Sequence, residues 1–416
     1  MTAPRVAWLD GLRGWAALVV VCFHLGPSVL GPDRHLAIYR HIDLGKYGVL
    51  LFFLVSGYVI PMSLERHGSL RRFWIGRLCR VYPAFTVTIA VFAVLAWAGL
   101  ATWPASLRAE TVTGVLAHAT MLPDLLGLRG AVRVFWTLSY EMTFYLVVAG
   151  LFAWRLHRHS GWWAAGLAAT ALLAGPALPD GEFAAGFQSR RITAAVLLVI
   201  VAASIAGYLG GRRGPALGAG AAGIGFVLLP ALNGHSGAGS TVVASWQGVL
   251  LLAVMFAGTV VYRAQHGQLA RWPAALALAV VAVCLVAAHP AHALWAATTA
   301  AVAATFAAAF ALRRRPVPRL WRFLGTVSYS LYLSHVIVLM LVGRLVPDLA
   351  DRTVGVRIAV GTAFLALAAS AAWVSYRLVE LPGQRLGRRI LAGDGVIATQ
   401  RAAARTADGE NPAGSV

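Results

Sequence analysis

Three ionisable side chains stand inside apolar runs where lipid would leave them unsatisfied. The first is His24, in the stretch WLDGLRGWAALVVVCFHL over residues 8–25, which opens with Asp10 and Arg13. On a helix, the eleven positions from Arg13 to His24 correspond to a rise of roughly 16 Å, which places His24 near the bilayer midplane. The second is Glu141, in FWTLSYEMTFY over 135–145, a run otherwise free of charge. The third is His335, about ten residues into GTVSYSLYLSH over 325–335. There Gly325, Ser328, Tyr332 and His335 follow at steps of three, four and three, one polar stripe of a helix. An ionisable group at such depth is costly and faces a cavity or a partner. A histidine can also take and return a proton near neutral pH. Taken alone, each group equally fits a polar side chain satisfied inside a helix bundle.

Two arginines, Arg77 and Arg80, lie three apart in RRFWIGRLCRVYP over 71–83 and so share a helix face at a membrane edge. Guanidinium forks suit phosphate oxygens. They equally suit the positive-inside signal, which accounts for Arg71 and Arg72. Ser56-Gly57-Tyr58 sets two hydroxyls and a close-packing glycine inside the second apolar run. Arg377 and Glu380, near the end of the last run, read as a structural ion pair. A path from a phosphate-bearing donor at the arginines to a base in the bilayer centre is the economical chemistry. No Walker A loop, zinc-protease helix or GxSxG elbow offers another. The aromatic residues Trp136, Tyr140 and Tyr145 fit an interfacial belt.

The elements that must hold these groups are membrane helices. Of 416 residues, 59% are hydrophobic and 12% charged, against about 25% charged in a soluble domain. The fold class is an all-α polytopic transmembrane bundle of about 10–12 spanning helices. Apolar runs fall near 14–31, 47–63, 83–102, 135–154, 162–179, 193–209, 216–232, 243–262, 272–288, 292–312, 324–343 and 355–376. The net charge of +20 is carried by arginines in short loops, a topology signal rather than a nucleic-acid surface. It predicts a multi-pass protein of the plasma membrane with both termini cytoplasmic; Arg190 and Arg191 dissent. Residues 1–385 form the membrane domain, and 386–416 a disordered cytoplasmic tail. The 103–134 loop has the makings of a short interfacial helix. Cys22, Cys79 and Cys284 show no disulfide or metal spacing, so no metal is expected.

The Arg13-to-His24 spacing, FFLVSGYVI (52–60), RLCR (77–80), WTLSYEMTFY (136–145) and SYSLYLSH (328–335) occur in one order along the chain. In this the sequence resembles the acyltransferase-3 family of integral-membrane O-acyltransferases. The resemblance implies transfer of an acyl group, often acetyl, from acyl-CoA to a hydroxyl of a carbohydrate or glycosylated small molecule. Acyl-CoA is then a co-substrate and no cofactor is resident. By position His24 matches the family's catalytic His, Arg13 its essential Arg, Arg77 and Arg80 its donor-associated pair, and Glu141 its acidic position. Asp10, Ser56, Tyr332 and His335 are further pocket candidates. The partner of His24 is Glu141, Asp10 or the substrate itself, and Tyr332 or Ser328 is a candidate oxyanion donor. The family's usual ten core spans contrast with the twelve runs read here, and residues after 385 leave no room for the hydrolase-like domain fused to some members. The competing class is a transporter of an anionic or lipid-linked substrate with His24, Glu141 and His335 as a proton relay.

Overall fold

A computed structural model of the chain describes residues 7–183, 185–234 and 242–393. Among these residues the regular structure is helical, with one isolated bridge between Asp180 and Gly234 and no strand. The chain begins with α1 (Ala7–Leu30), a short surface helix α2 (Pro32–Tyr39), α3 (Leu44–His67) and α4 (Leu70–Trp97). Two short helices, α5 (Ala105–Ala109) and α6 (Thr111–Ala119), lead to α7 (Trp136–Ala153), α8 (Ser160–Leu173) and α9 (Phe187–Leu209). Then come α10 (Arg213–Gly225) with its continuation α11 (Leu228–Leu232), α12 (Ser245–Gln265), α13 (Arg271–Ala287), α14 (His292–Ala311), α15 (Arg319–Leu345) and α16 (Val354–Ser375).

Ten helices among the described residues are long and apolar enough to cross a membrane. The other two expected runs are also helical but shorter, α8 with 14 residues and α13 with 17. α8 lies antiparallel along α12: Gly161 near its start approaches Leu269, and Gly175 beyond its end packs on Trp246. The sequence count of twelve and the count of ten thus describe one bundle. Beyond α16 the helical stretch continues through a π turn at Tyr376–Glu380 and on to Gly393, past residue 385. The rest of the expected tail, and most of the 233–240 loop, lie outside the described residues.

Short connections set neighbours antiparallel. Gly68 closes α3 in the left-handed region at φ +60°, and Ser69 caps α4 by accepting from the Arg72 N–H at 3.3 Å. At the other end Asp43 caps α3 by accepting from the Lys46 N–H at 2.8 Å. Helix contact relies on glycine, since lipid supplies no hydrophobic drive between helices. A Cβ on Gly57 would fall 1.7 Å from the Met255 carbonyl, and one on Gly258 2.1 Å from that of Leu54, so α3 and α12 touch backbone to backbone. The packing expected of Gly57 is therefore its role.

With the helices alternating in direction, the loops bearing Arg71, Arg155, Arg213, Arg271 and Arg313 share one end, called here the basic face. Arg190, which ran against that pattern, lies toward the opposite face and forms an ion pair with the buried Glu110. The 103–134 segment forms more than one interfacial helix. It folds as α5, α6 and two 3-10 turns whose residues Leu125, Leu126 and Val134 are buried, while Val112 and Val115 face outward.

Candidate active site

The site begins where α1 crosses α15. A Cβ on Gly14 would lie 2.7 Å from the Gly325 nitrogen, and one on Gly325 2.0 Å from the Asp10 carbonyl. From this contact both helices run in the same direction for ten residues and deliver His24 beside His335, with His24 Nδ1 3.1 Å from His335 Nε2. Because α1 starts at Ala7 rather than near residue 14, His24 sits 17 residues in and six before its end at Leu30. It therefore lies past the middle, toward the face opposite the arginines.

The hydrogen bonds fix which nitrogen is open. His335 Nδ1 lies 3.1 Å from the Leu331 carbonyl, which can only accept, so neutral His335 carries its proton there and presents a lone pair at Nε2. That lone pair faces His24 Nδ1, which also sits 3.0 Å from the Val20 carbonyl. His24 Nδ1 is thus the donor to both, and its Nε2 keeps a free lone pair; this tautomer follows from the bonding pattern. His335 is fully buried and His24 half-buried. The charged side chain that acts on His24 is Arg133, near the opposite face.

A second layer lies toward the basic face. Glu141 accepts from Ser56 Oγ at 3.3 Å and from the Tyr145 hydroxyl at 2.5 Å. The Arg77 guanidinium lies over the Tyr145 ring at 5.3 Å and over Phe73 at 5.6 Å. Arg80, Glu141 and Asp10 are the principal charges acting on Arg13. Glu380 joins them: it is buried, accepts from Ser330 Oγ at 3.1 Å and Gln384 Nε2 at 3.0 Å, and faces the charges of Arg80 and Arg13. Ser330 precedes His335 by five residues on α15, so the layers are roughly 8 Å apart there.

Above the histidines, near the opposite face, Gly45 packs on Phe23 and the Lys46 ammonium lies 4.8 Å from the Trp136 ring centroid. Asp124, in a 3-10 turn beside Tyr140 and Lys46, has its carboxyl pushed up to about 7 by burial, against the opposing pull of Lys46 and of its hydrogen bond with Tyr140. Trp136, Tyr140 and Tyr145 are buried and partnered, so they are not a lipid-facing belt.

The expected residues are sorted by this geometry. His24 and His335 meet, and the partner of His24 is neither Glu141 nor Asp10. Arg13, Arg77, Arg80, Glu141 and Ser56 gather in the second layer, with Asp10 at the helix crossing. Tyr332 stands aside: its hydroxyl donates to the Val134 carbonyl at 3.2 Å and accepts from Thr137 at 3.0 Å. Ser328 Oγ donates to the Gly325 carbonyl at 3.0 Å. Both hydroxyl protons are thus committed, which removes them as oxyanion donors in this arrangement. Arg377 turns out over the Trp373 ring at 5.6 Å, away from the inward Glu380. Glu380 was missed as a site residue; its signal was a carboxylate at a membrane edge, discounted because an arginine stood three positions earlier. No group of three or more His, Cys, Asp or Glu suited to a metal occurs among the described residues.

The profile of the acyltransferase-3 family, described as an acyltransferase domain, matches residues 6–185 and 192–377. The chain is 31% identical over 185 residues to the acyltransferase MdmB of Streptomyces mycarofaciens, covering 40% of this chain and 45% of that protein. It is 28% identical over 153 residues to the peptidoglycan O-acetyltransferase OatA of Listeria monocytogenes, covering 33% of this chain and 23% of that one. With Nodulation protein 10 of Rhizobium leguminosarum the identity is 32% over 139 residues, 27% of this chain and 35% of the relative. The chain thus spans less than half the length of each of these relatives. No solved structure matches. With a family profile matched along almost its whole membrane bundle, the chain belongs to the acyltransferase-3 family.

Proposed function

We propose that the protein is a membrane O-acyltransferase that moves an acyl group, acetyl in the simplest case, from acyl-CoA to a hydroxyl of a carbohydrate or glycosylated metabolite. The observation that carries this reading is the contact of His24 Nδ1 with His335 Nε2, which leaves His24 Nε2 open as a base. Two features of the chain support it. A layer of arginines lies toward the basic face, where a CoA diphosphate can be met by Arg77 and Arg80. The relative named as a peptidoglycan O-acetyltransferase supports a hydroxylated glycan as acceptor.

In the proposed reaction the acyl-CoA enters from the basic face and its arm brings the thioester up to the histidines. The acceptor comes from the opposite face, to which His24 lies closer. His24 Nε2 takes the proton of the acceptor hydroxyl as its oxygen attacks the thioester carbonyl. The tetrahedral intermediate collapses, the carbon–sulfur bond breaks, and the His24 imidazolium returns the proton to the leaving CoA sulfur. His335 accepts from Nδ1–H throughout and so holds the ring and its tautomer. Glu141 and Glu380 offset the charge of Arg13 and Arg80 when no donor is bound.

The test is incubation of the purified protein in nanodiscs with labelled acetyl-CoA and hydroxylated glycans. Label in an ester of the glycan is the expected result. His24→Ala should lower the rate by about 10²–10⁴-fold with the protein still folded, and near-normal turnover would sink the proposal. The transporter reading is less well supported, because Glu141 bonds to Ser56 and Tyr145 rather than continuing a relay from the histidines.

A further inference from the structure

At the basic face a cavity of about 900 Å³ opens between the end of α7 and the starts of α4 and α10. Arg155, Arg158 and Arg213 line it, with Trp154 and His157. Among the described residues no carboxylate pairs with any of these arginines. The positive-inside tendency explains arginines in such loops, but it does not explain why three converge on one cavity. Nor does it explain Arg155. This residue holds the left-handed position that ends α7, at φ +59°, with the Leu156 N–H closing on the Leu151 carbonyl at 2.7 Å and its own N–H on that of Phe152 at 3.1 Å. Glycine is the residue such a cap favours. An arginine in this strained position, with its side chain lining the cavity, points to a use for that side chain. The Trp154 indole N–H donates to the Leu217 carbonyl at 3.1 Å, which pins an aromatic face beside the cavity.

The cavity is also in line with the site. Leu70 of α4 and Phe152 of α7 both line it. Seven residues farther along α4 is Arg77, and seven residues back along α7 is Tyr145, and these two are in contact at 5.3 Å. Seven residues is roughly 10 Å of helix. The antiparallel groove between α4 and α7 therefore runs from this cavity, past Arg77, toward Glu141.

We infer that this cavity is the seat of a phosphorylated nucleoside, the 3′-phosphoadenosine head of the acyl-CoA, with Arg155, Arg158 and Arg213 on its 3′-phosphate and Trp154 beside its base. The inference rests on the acyl-CoA reading above and adds a second phosphate site to the one at Arg77 and Arg80. Guanidinium groups without carboxylate partners suit a doubly charged phosphate, and the roughly 10 Å of helix from Leu70 to Arg77 lets a head group seated here place its diphosphate near Arg77.

The test is calorimetric binding of CoA, 3′-dephospho-CoA and adenosine 3′,5′-bisphosphate to the full chain in phosphatidylcholine nanodiscs. The wild type should prefer CoA to its dephospho form by at least about tenfold. The combined Arg155→Ala, Arg158→Ala, Arg213→Ala variant should lose that preference and the bisphosphate binding. Arg213→Glu alone, at an exposed position, repeats the test if the triple variant folds poorly. Wild-type affinity for CoA in both variants overturns the inference. So does a loss of bound phosphatidylglycerol, read by native mass spectrometry, with CoA affinity unchanged; that result gives the cavity to a lipid headgroup. Arg77→Ala with Arg80→Ala keeps the two readings apart. If CoA binding depends on that pair and not on the cavity arginines, this inference alone falls; if the wild type binds no CoA, both fall.

Discussion

Gly14 and Gly325 meet backbone to backbone, and they are separated in sequence by the same 311 positions as His24 and His335. The glycine crossing therefore sets the register that brings the two imidazoles together ten residues on. Gly325→Ala places a Cβ 2.0 Å from the Asp10 carbonyl, a backbone atom that cannot step aside. The helices must part or slide. Overpacking of this kind costs about 1–3 kcal/mol. The expected outcome is a lower unfolding midpoint together with a loss of transfer rate larger than the stability loss explains. Gly57→Ala, at the α3–α12 contact, is the control. It should destabilise comparably, and in the fraction that remains folded it should leave the histidine register alone.

His335 is assigned a positioning role, through the lone pair it offers to His24 Nδ1–H. His335→Ala removes the acceptor and frees the His24 ring to rotate or change tautomer. The rate should fall by about 10–100-fold with the donor KM unchanged, a loss short of that for removing the base itself. His335→Gln supplies a side-chain oxygen on a chain of similar length and should recover part of the rate. Steady-state kinetics of the two variants check this. Equal rates for Ala and Gln would reduce His335 to packing.

How much of this was legible in one dimension depended on the kind of signal. His24, Glu141 and His335 stood out because an ionisable group in an apolar run is expensive wherever the chain folds. The helices were legible for the same reason, down to the short α8 and α13. The partner of His24 was not legible, because it depends on which helix lies alongside and in what register, and that is set by glycine contacts between residues hundreds of positions apart. Glu380 was misread for a local reason. Three positions from Arg377, it shares a face with that arginine on an α-helix, but Tyr376–Glu380 form a π turn. A π turn takes more residues per turn, so the two part, and such turns often mark functional sites. Arg377 goes outward and Glu380 inward.

Glu380 bears on donor binding through Arg80 and Arg13. Glu380→Gln keeps a group able to bond Ser330 and Gln384 while deleting the charge. Phosphates then compete with one carboxylate fewer, and the donor KM should fall or hold while kcat changes little. Glu380→Ala leaves Ser330 and Gln384 without their acceptor inside the bundle and should also lower stability, by about 1–3 kcal/mol. Donor-dependent kinetics and thermal melts of both variants separate the electrostatic effect from the structural one. A rise in donor KM for Glu380→Gln would contradict the arrangement.

Asp124 gives a pH signature for the cap over the opposite face. Its carboxyl is raised from 3.8 to about 7 by burial. Between those values the folded chain keeps a proton that the unfolded chain has released, so the stability gained from the neutral carboxyl is full below about pH 4 and declines as the pH rises to about 7. Asp124→Asn should remove this slope. Its unfolding midpoint should change less than that of the wild type between pH 4.5 and pH 7.5, roughly the span of the shift. The hydrogen bond with Tyr140 sharpens the comparison, because the asparagine oxygen can still accept it while Lys46 loses a counter-charge. If the variant and the wild type show parallel pH dependence, Asp124 is ionised in the folded protein and pairs with Lys46 instead.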